Sequence, residues 1–166
     1  MSEQAEDRYG TVHQLPDGRV QVRFERRLPQ SVETVWAALT EQEQLDAWMP
    51  GVRFEPRVGG SFEIWFGGAC DGPAHVSGVV AAFEPPRVLQ LGTIRWELCE
   101  AEEGCLLKFS DVLVFKGPRS RTDIANAVLG GWHNYLDLLE DALAGRPVNH
   151  EQPEPDYAAR EVAGRP

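Results

Sequence analysis

The chain has 166 residues and a formal net charge of −10, with 42% hydrophobic and 25% charged residues. A domain of this length buries roughly 70% of its unfolded surface, which suffices for a core without disulfides or metals. The negative charge repels phosphate backbones and anionic lipid, so nucleic-acid and membrane-surface partners are disfavoured. No apolar run approaches the ~20 residues that cross a bilayer, and no signal peptide is visible. We therefore expect a soluble, cytoplasmic, single-domain protein.

The spacing of the cysteines and of the other potential metal ligands does not predict a metal site. Cys70, Cys99 and Cys105 match no zinc-binding spacing, and we expect reduced thiols. No cluster of His, Asp or Glu has metal-ligand spacing, no glycine-rich segment links a strand to a helix, and no Gly-x-Ser-x-Gly occurs. These absences argue against metalloenzyme, nucleotide-binding and serine-hydrolase functions, and we expect no cofactor.

The chain begins with a predicted β-hairpin, because strands over 9–14 and 19–28 flank a turn at Pro16-Asp17-Gly18. Ser31 is a suitable N-cap for a first helix, and a shorter helix follows over 41–48. Turn residues then separate alternating segments that predict further strands over 61–66, 75–83, 88–91, 94–99 and 105–115.

The longest predicted element is a C-terminal helix that starts at Ser120 and stops before Gly145. Its length of about 22 residues corresponds to a rod of roughly 33 Å. The chain beyond it is polar and rich in proline, so we expect a flexible N-terminus (1–8), one domain (9–146) and a mobile tail (147–166). An apolar stripe runs along the helix and consists of Ile124, Val128, Trp132, Tyr135, Leu136, Leu139 and Leu143.

The order of these elements predicts an α+β fold. Strands joined by such short connections must pair antiparallel, and the long helix must cover one face of the sheet to bury its stripe. The predicted architecture is a curved antiparallel sheet of about six or seven strands around the long helix, with two short helices near the start.

The turn at 102–103 predicts the register of the last two strands. Apolar residues of both strands then share one face, as a correct register requires. Cys99 lies opposite Leu106 in this register, which argues against a disulfide between Cys99 and Cys105. The predicted cross-strand pairs are Trp96 with Phe109, Leu98 with Leu107, and Ile94 with Asp111.

A second register, across the 67–74 loop, places a histidine inside the sheet. The alternation of side chains along the strands predicts that three ionisable groups point into the sheet: Arg26, His75 and Asp111. A buried charge is costly unless it is paired. Asp111 either pairs with Arg26 or a helix side chain, or contacts a ligand; His75 either caps the mouth of the sheet or contacts a ligand. The predicted neighbours are His75 near Phe66, Ser77 near Ile64, and Val79 near Phe62.

The long helix carries two glycines, Gly130 and Gly131, each of which costs about 1 kcal/mol relative to alanine. Close packing on the sheet or on the first helix explains them, and so does room for a ligand. His133 flanks the polar side of the helix, with Asp137 one turn further on, and we assign it to the surface.

The spacing of the aromatic residues predicts different environments for them. Trp36 belongs to the core, and Trp65 is opposite in alternation to its apolar neighbours and faces outward or lies at a rim. Trp96, Trp132 and Tyr135 fit the core and the lining of a cavity equally well.

Several short motifs follow one another along the chain. They are Arg26-x-Leu28-Pro29-x-Ser31-Val32-Glu33-Thr34-Val35-Trp36-x-Ala38-Leu39-Thr40, Leu45-x-x-Trp48-Met49-Pro50, Gly59-Gly60-Ser61-Phe62, Gly78-x-Val80, Glu84-Pro85-Pro86-Arg87-Val88-Leu89, Trp96, and Gly131-Trp132-x-x-Tyr135-Leu136-x-x-Leu139-x-x-x-Leu143-x-Gly145. In this order, the motifs resemble the heat-shock-protein-90 ATPase activator-like family of the START-like (SRPBCC) superfamily, in its prokaryotic single-domain form. The resemblance covers about residues 9–146.

This resemblance implies a helix-grip fold with an internal cavity for an apolar or amphipathic small molecule. Ligand binding without membrane insertion is the leading interpretation, with a homodimer as a candidate assembly. Two alternatives stay open: an enzyme of cyclase, dehydratase or hydrolase type that uses Asp111 and His75 as acid and base, and a chaperone-linked or stress-response interaction module. The candidate ligand-binding residues are Phe62, Ile64, Phe66, His75, Val79, Trp96, Phe109, Asp111, Trp132 and Tyr135.

Overall fold

A computed structural model describes residues 8–66, 75–160 and 162. Cys70, the expected flexible residues 1–7 and the last tail residues 161 and 163–166 lie outside that part. The elements in chain order are β1 (Thr11–Gln14), β2 (Val20–Leu28), α1 (Val32–Thr40), α2 (Gln42–Trp48), β3 (Val52–Phe54), β4 (Ser61–Trp65), β5 (His75–Glu84), β6 (Val88–Leu91), β7 (Ile94–Ala101), β8 (Gly104–Val112), α3 (Arg121–Leu143) and a 3-10 turn (Tyr157–Ala159).

The strands form one antiparallel sheet in the order β1-β2-β8-β7-β6-β5-β4-β3. The predicted α+β class is therefore confirmed, and so is the long C-terminal helix packed against the curved sheet. The described part of the chain contains eight strands rather than six or seven, because the three-residue strand β3 follows α2 and pairs with β4. Among the described residues, no helix is long and apolar enough to cross a membrane.

Both flanking helices begin where the sequence predicts. The side chain of Ser31 accepts a hydrogen bond from the backbone N–H of Thr34, and Ser120 caps α3 in the same way through Asp123. Trp36 is half-buried rather than fully in the core, and its ring meets Phe83 edge-on, with 5.5 Å between ring centroids. These caps therefore define the residue at which each helix begins.

The predicted register of β7 with β8 is confirmed. The structure pairs Trp96 with Phe109, Leu98 with Leu107, and Ile94 with Asp111. Cys99 lies opposite Leu106 and is exposed, whereas Cys105 is buried, and both are free thiols.

The predicted register of β4 with β5 is wrong by one residue. His75 pairs with Trp65, and Val79 pairs with Ser61, so both point to the outer face. The cause is a β-bulge between Val80 and Ala82, which breaks the alternation counted back from the end of the strand. Val80 is therefore buried although the alternation predicted Val79 in its place.

Arg26 is turned inward, as alternation predicts, and is only 3% exposed. Its guanidinium pairs with two carboxylates of α3, at 2.8 Å from Nη1 to Asp137 Oδ1 and also with Glu140. Arg8 pairs with the same two carboxylates. The acidic partners of Arg26 are therefore helix side chains, and Asp111 is not among them.

His133 was assigned to the surface, and that assignment is wrong, because the residue is 4% exposed. The hydroxyl of Tyr157 lies 2.8 Å from His133 Nδ1 and accepts a hydrogen bond from the backbone N–H of Gly10 at 2.7 Å. Burial lowers the pKa of His133 to about 4 and raises that of Tyr157 to about 12. At neutral pH an uncharged imidazole and a neutral tyrosine hydroxyl therefore share this hydrogen bond.

The same contact corrects the expectation of a mobile tail. Tyr157 is 1% exposed and belongs to the core cluster, so the segment 147–160 folds back against α3. An aromatic side chain and its two hydrogen bonds outweigh the polar, proline-rich composition that predicted mobility.

Candidate functional site

A cavity of about 700 Å³ lies between α3, the strands β7 and β8, and the tail. Its walls are mostly apolar, and the exposed side chains of Val76 and Val114 belong to its lining. Helix α3 contributes the largest share of the lining, because residues at spacings of three and four share one helix face. Those on this face include Val128, Gly131, Trp132, Tyr135 and Leu138.

Three aromatic rings form one corner of the cavity. Ring centroids of Phe66 and Trp132 lie 5.9 Å apart, those of Trp132 and Tyr135 5.7 Å, and those of Phe66 and Tyr135 6.2 Å. The interplanar angles are 83°, 52° and 50°, so the three rings form non-parallel walls. We refer to Phe66, Trp132 and Tyr135 as the aromatic corner.

Asp111 lies beside the aromatic corner. Its Oδ1 accepts a hydrogen bond from the hydroxyl of Thr93 at 2.8 Å, and its Oδ2 accepts one from Trp132 Nε1 at 3.0 Å. Burial raises the pKa of this carboxyl, and the two hydrogen bonds act against that shift by favouring the charged form. Both hydrogen-bond donors are uncharged, so the carboxylate is oriented without being neutralised.

The structure brings together four of the predicted site residues. Phe66, Asp111, Trp132 and Tyr135 all line the cavity. Four others are core residues behind this wall, where the ring of Phe109 packs 4.5 Å from that of Trp132. These four are Phe62, Ile64, Trp96 and Phe109.

The structure separates the remaining two predicted residues from the cavity. His75 lies on the outer face of the sheet, where its ring stacks on Trp65 at 4.4 Å, and its Nε2 lies 3.6 Å from Glu63 Oε1. Val79 is 57% exposed on the same face. Trp65 faces outward as predicted. Because His75 and Asp111 occupy opposite faces of the sheet, the predicted acid–base pair is not assembled.

Other lining residues were missed by sequence analysis. The spacing of Asn134 and Leu138 from Trp132 and Tyr135 was sufficient to find them, since all lie on one helix face. Nothing in the sequence signals His150, which reaches the cavity from a tail without periodicity.

The glycine pair of α3 makes room for Glu154, another lining residue from the tail. A Cβ atom at Gly130 would lie 3.2 Å from Glu154 Oε2, and one at Gly131 would lie 3.9 Å from Oε1. Close packing therefore explains Gly130, but the partner is the tail rather than the sheet or the first helix. Across the residues that the structure describes, no group of three or more His, Cys, Asp or Glu side chains forms a metal site.

These features define an α+β helix-grip domain with a cavity between its sheet and its long helix. The family described as "Activator of Hsp90 ATPase homolog 1-like protein" matches residues 29–144, and the chain belongs to this family. No curated protein matches the chain.

Solved structures of similar fold agree with this assignment. EF2215 from Enterococcus faecalis, described as a conserved protein of unknown function, is 26% identical, with a TM-score of 0.64 over 84% of this chain and 80% of that one. CalU16 from Micromonospora echinospora is 21% identical, with a TM-score of 0.61 over 81% and 83%. MLL2253 from Mesorhizobium loti is 24% identical, with a TM-score of 0.61 over 75% and 97%. The last two similarities establish the fold alone.

Proposed function

We propose that the protein binds a small apolar or amphipathic molecule in the cavity under α3. The observation that carries this proposal is a cavity of about 700 Å³ with apolar walls and a single half-buried carboxylate at its side. Small-molecule sites typically have volumes of about 300–1,000 Å³ and combine apolar walls with a few polar groups. Thr93, Asp111 and Asn134 are the polar groups that would orient a ligand here.

Binding is better supported than catalysis by the predicted acid and base. General acid–base chemistry needs both groups within about 3 Å of the reacting atom or linked to it by one water. His75 lies on the outer face and does not meet that requirement. A protein-interaction role is also less well supported, because two of the four large apolar side chains that are exposed among the described residues, Val76 and Val114, belong to the cavity lining.

A matched pair of tryptophan substitutions tests the proposal. Val128→Trp fills the cavity, whereas Val58→Trp adds the same side chain at a residue that is 61% exposed and does not line it. The neutral probe 2-naphthylmethanol is titrated into each variant and followed by calorimetry. We expect binding to the wild type and to Val58→Trp, with at least a tenfold loss in Val128→Trp. Equal affinity in all three proteins, or no binding to the wild type, would contradict the proposal.

A further inference from the structure

The aromatic corner and Asp111 together indicate the charge of the ligand. We infer that the cavity selects amphipathic molecules carrying a protonated amine or another cationic nitrogen, bound between the Asp111 carboxylate and the rings of Phe66, Trp132 and Tyr135. This inference rests on the proposed function, because it concerns the same cavity.

The first observation is the arrangement of the rings. Aromatic faces carry a negative potential that attracts cations, and non-parallel rings surrounding a cation are the usual device for recognising ammonium groups. The aromatic corner supplies three mutually packed, non-parallel rings, with centroids 5.7–6.2 Å apart and interplanar angles of 50–83°, and all three residues line the cavity.

The second observation is that, in the described part of the chain, no cationic side chain pairs with Asp111. The inward carboxylates Asp137 and Glu140 are both paired with Arg8 and Arg26. Asp111 instead contacts a hydroxyl and an indole N–H. Each of its oxygens accepts one hydrogen bond from these groups, and a carboxylate offers about four acceptor positions. It therefore retains the capacity to accept hydrogen bonds from a ligand and gains most from a donor that is positively charged.

The third observation is the charge of the rest of the lining. The ionisable lining residues are Asp111, His150 and Glu154, and within the described part of the chain neither Lys nor Arg lines the cavity. The net charge of −10 adds to the same negative potential. An anionic ligand such as a fatty acid would bring its carboxylate to a cavity that already holds two. The lining thus favours cationic over anionic amphiphiles.

Three probes with one ring system test this selection: 2-naphthylmethylamine, 2-naphthylmethanol and 2-naphthoate, titrated calorimetrically at about pH 7, where the first is cationic and the last anionic. We expect the amine to bind about tenfold more tightly than the alcohol, and the carboxylate to bind most weakly. In Asp111→Asn the amine and the alcohol should bind within about threefold of each other.

Asp17→Asn is the matched control, since it removes one carboxylate charge at the exposed β1–β2 turn and should keep the tenfold preference. If the wild type binds the alcohol as tightly as the amine, or prefers the carboxylate, the inference is overturned while the proposed function stands. If none of the three probes binds, the proposed function fails and the inference fails with it. The wild-type series decides the question even if Asp111→Asn does not fold.

Discussion

Removing one hydroxyl group, in Tyr157→Phe, tests whether the tail is a structural part of the domain. The Tyr157 hydroxyl accepts the N–H of Gly10 at 2.7 Å and contacts Nδ1 of His133 at 2.8 Å. Phenylalanine keeps the ring but leaves both buried groups without this partner. Each unsatisfied buried group costs about 1–3 kcal/mol, and we expect a total loss of about 2–4 kcal/mol. For a chain of this size that loss corresponds to a decrease in Tm of roughly 5–15 °C.

Urea denaturation followed by tryptophan fluorescence measures this loss. Tyr9→Phe is the matched control, because Tyr9 packs against the same histidine and tyrosine rings through its own ring. We expect that control to change the free energy of unfolding by less than about 0.5 kcal/mol. If Tyr157→Phe were as stable as Tyr9→Phe, the tail would not be held by these hydrogen bonds, and its contribution to the cavity wall would have to be abandoned.

Two further predictions concern α3. Because burial lowers the pKa of His133 from 6.5 to about 4, only the unfolded chain gains a proton there as the pH falls through this range. The free energy of unfolding should decrease by about 3 kcal/mol from pH 6.5 toward pH 4. The raised pKa of Asp111 has the opposite effect on the free energy of unfolding, so the decrease is measured by urea titration in an Asp111→Asn background. Adding His133→Leu to that background should abolish the decrease. In the glycine pair, Gly131→Ala should raise the free energy of unfolding by up to about 1 kcal/mol, because its Cβ would lie 3.9 Å from Glu154. Gly130→Ala should be the less stable of the two, because its Cβ would lie 3.2 Å from the same carboxylate; the reverse order in urea denaturation would contradict this packing.

The strand registers could be predicted from the sequence where the connection between two strands is short. The turn at 102–103 is short, so it constrains β7 and β8 to one register and places Asp111 on the inner face. The 67–74 loop imposes no such constraint, and the bulge after Val80 reverses the alternation within β5. Because of that reversal, His75 lies on the outer face, and the predicted acid–base pair does not form.

Two other differences between the predictions and the structure arise from contacts between residues that are distant in sequence. Helical periodicity assigned His133 to the polar face because of Asp137, but Arg26 and Arg8 neutralise that carboxylate and draw it toward the sheet. Tyr157 follows a polar segment with no periodicity, so only the folded chain shows that its side chain enters the core. The local pattern of polar and apolar residues in the sequence does not predict either of these long-range contacts.

The position of the tail has a consequence for ligand selectivity. The family match ends at residue 144, and the cavity-lining side chains of His150 and Glu154 come from the chain beyond it. Asp111 and Trp132 lie within the matched region. The cavity therefore combines lining residues from the family fold with lining residues from the tail, which Tyr157 anchors to the core. Without its tail, this chain would keep the residues of the hydrogen bond between Asp111 and Trp132 but would lose the carboxylate of Glu154. Ligand preference is then a property of the chain as a whole, and similarity of fold alone does not transfer it.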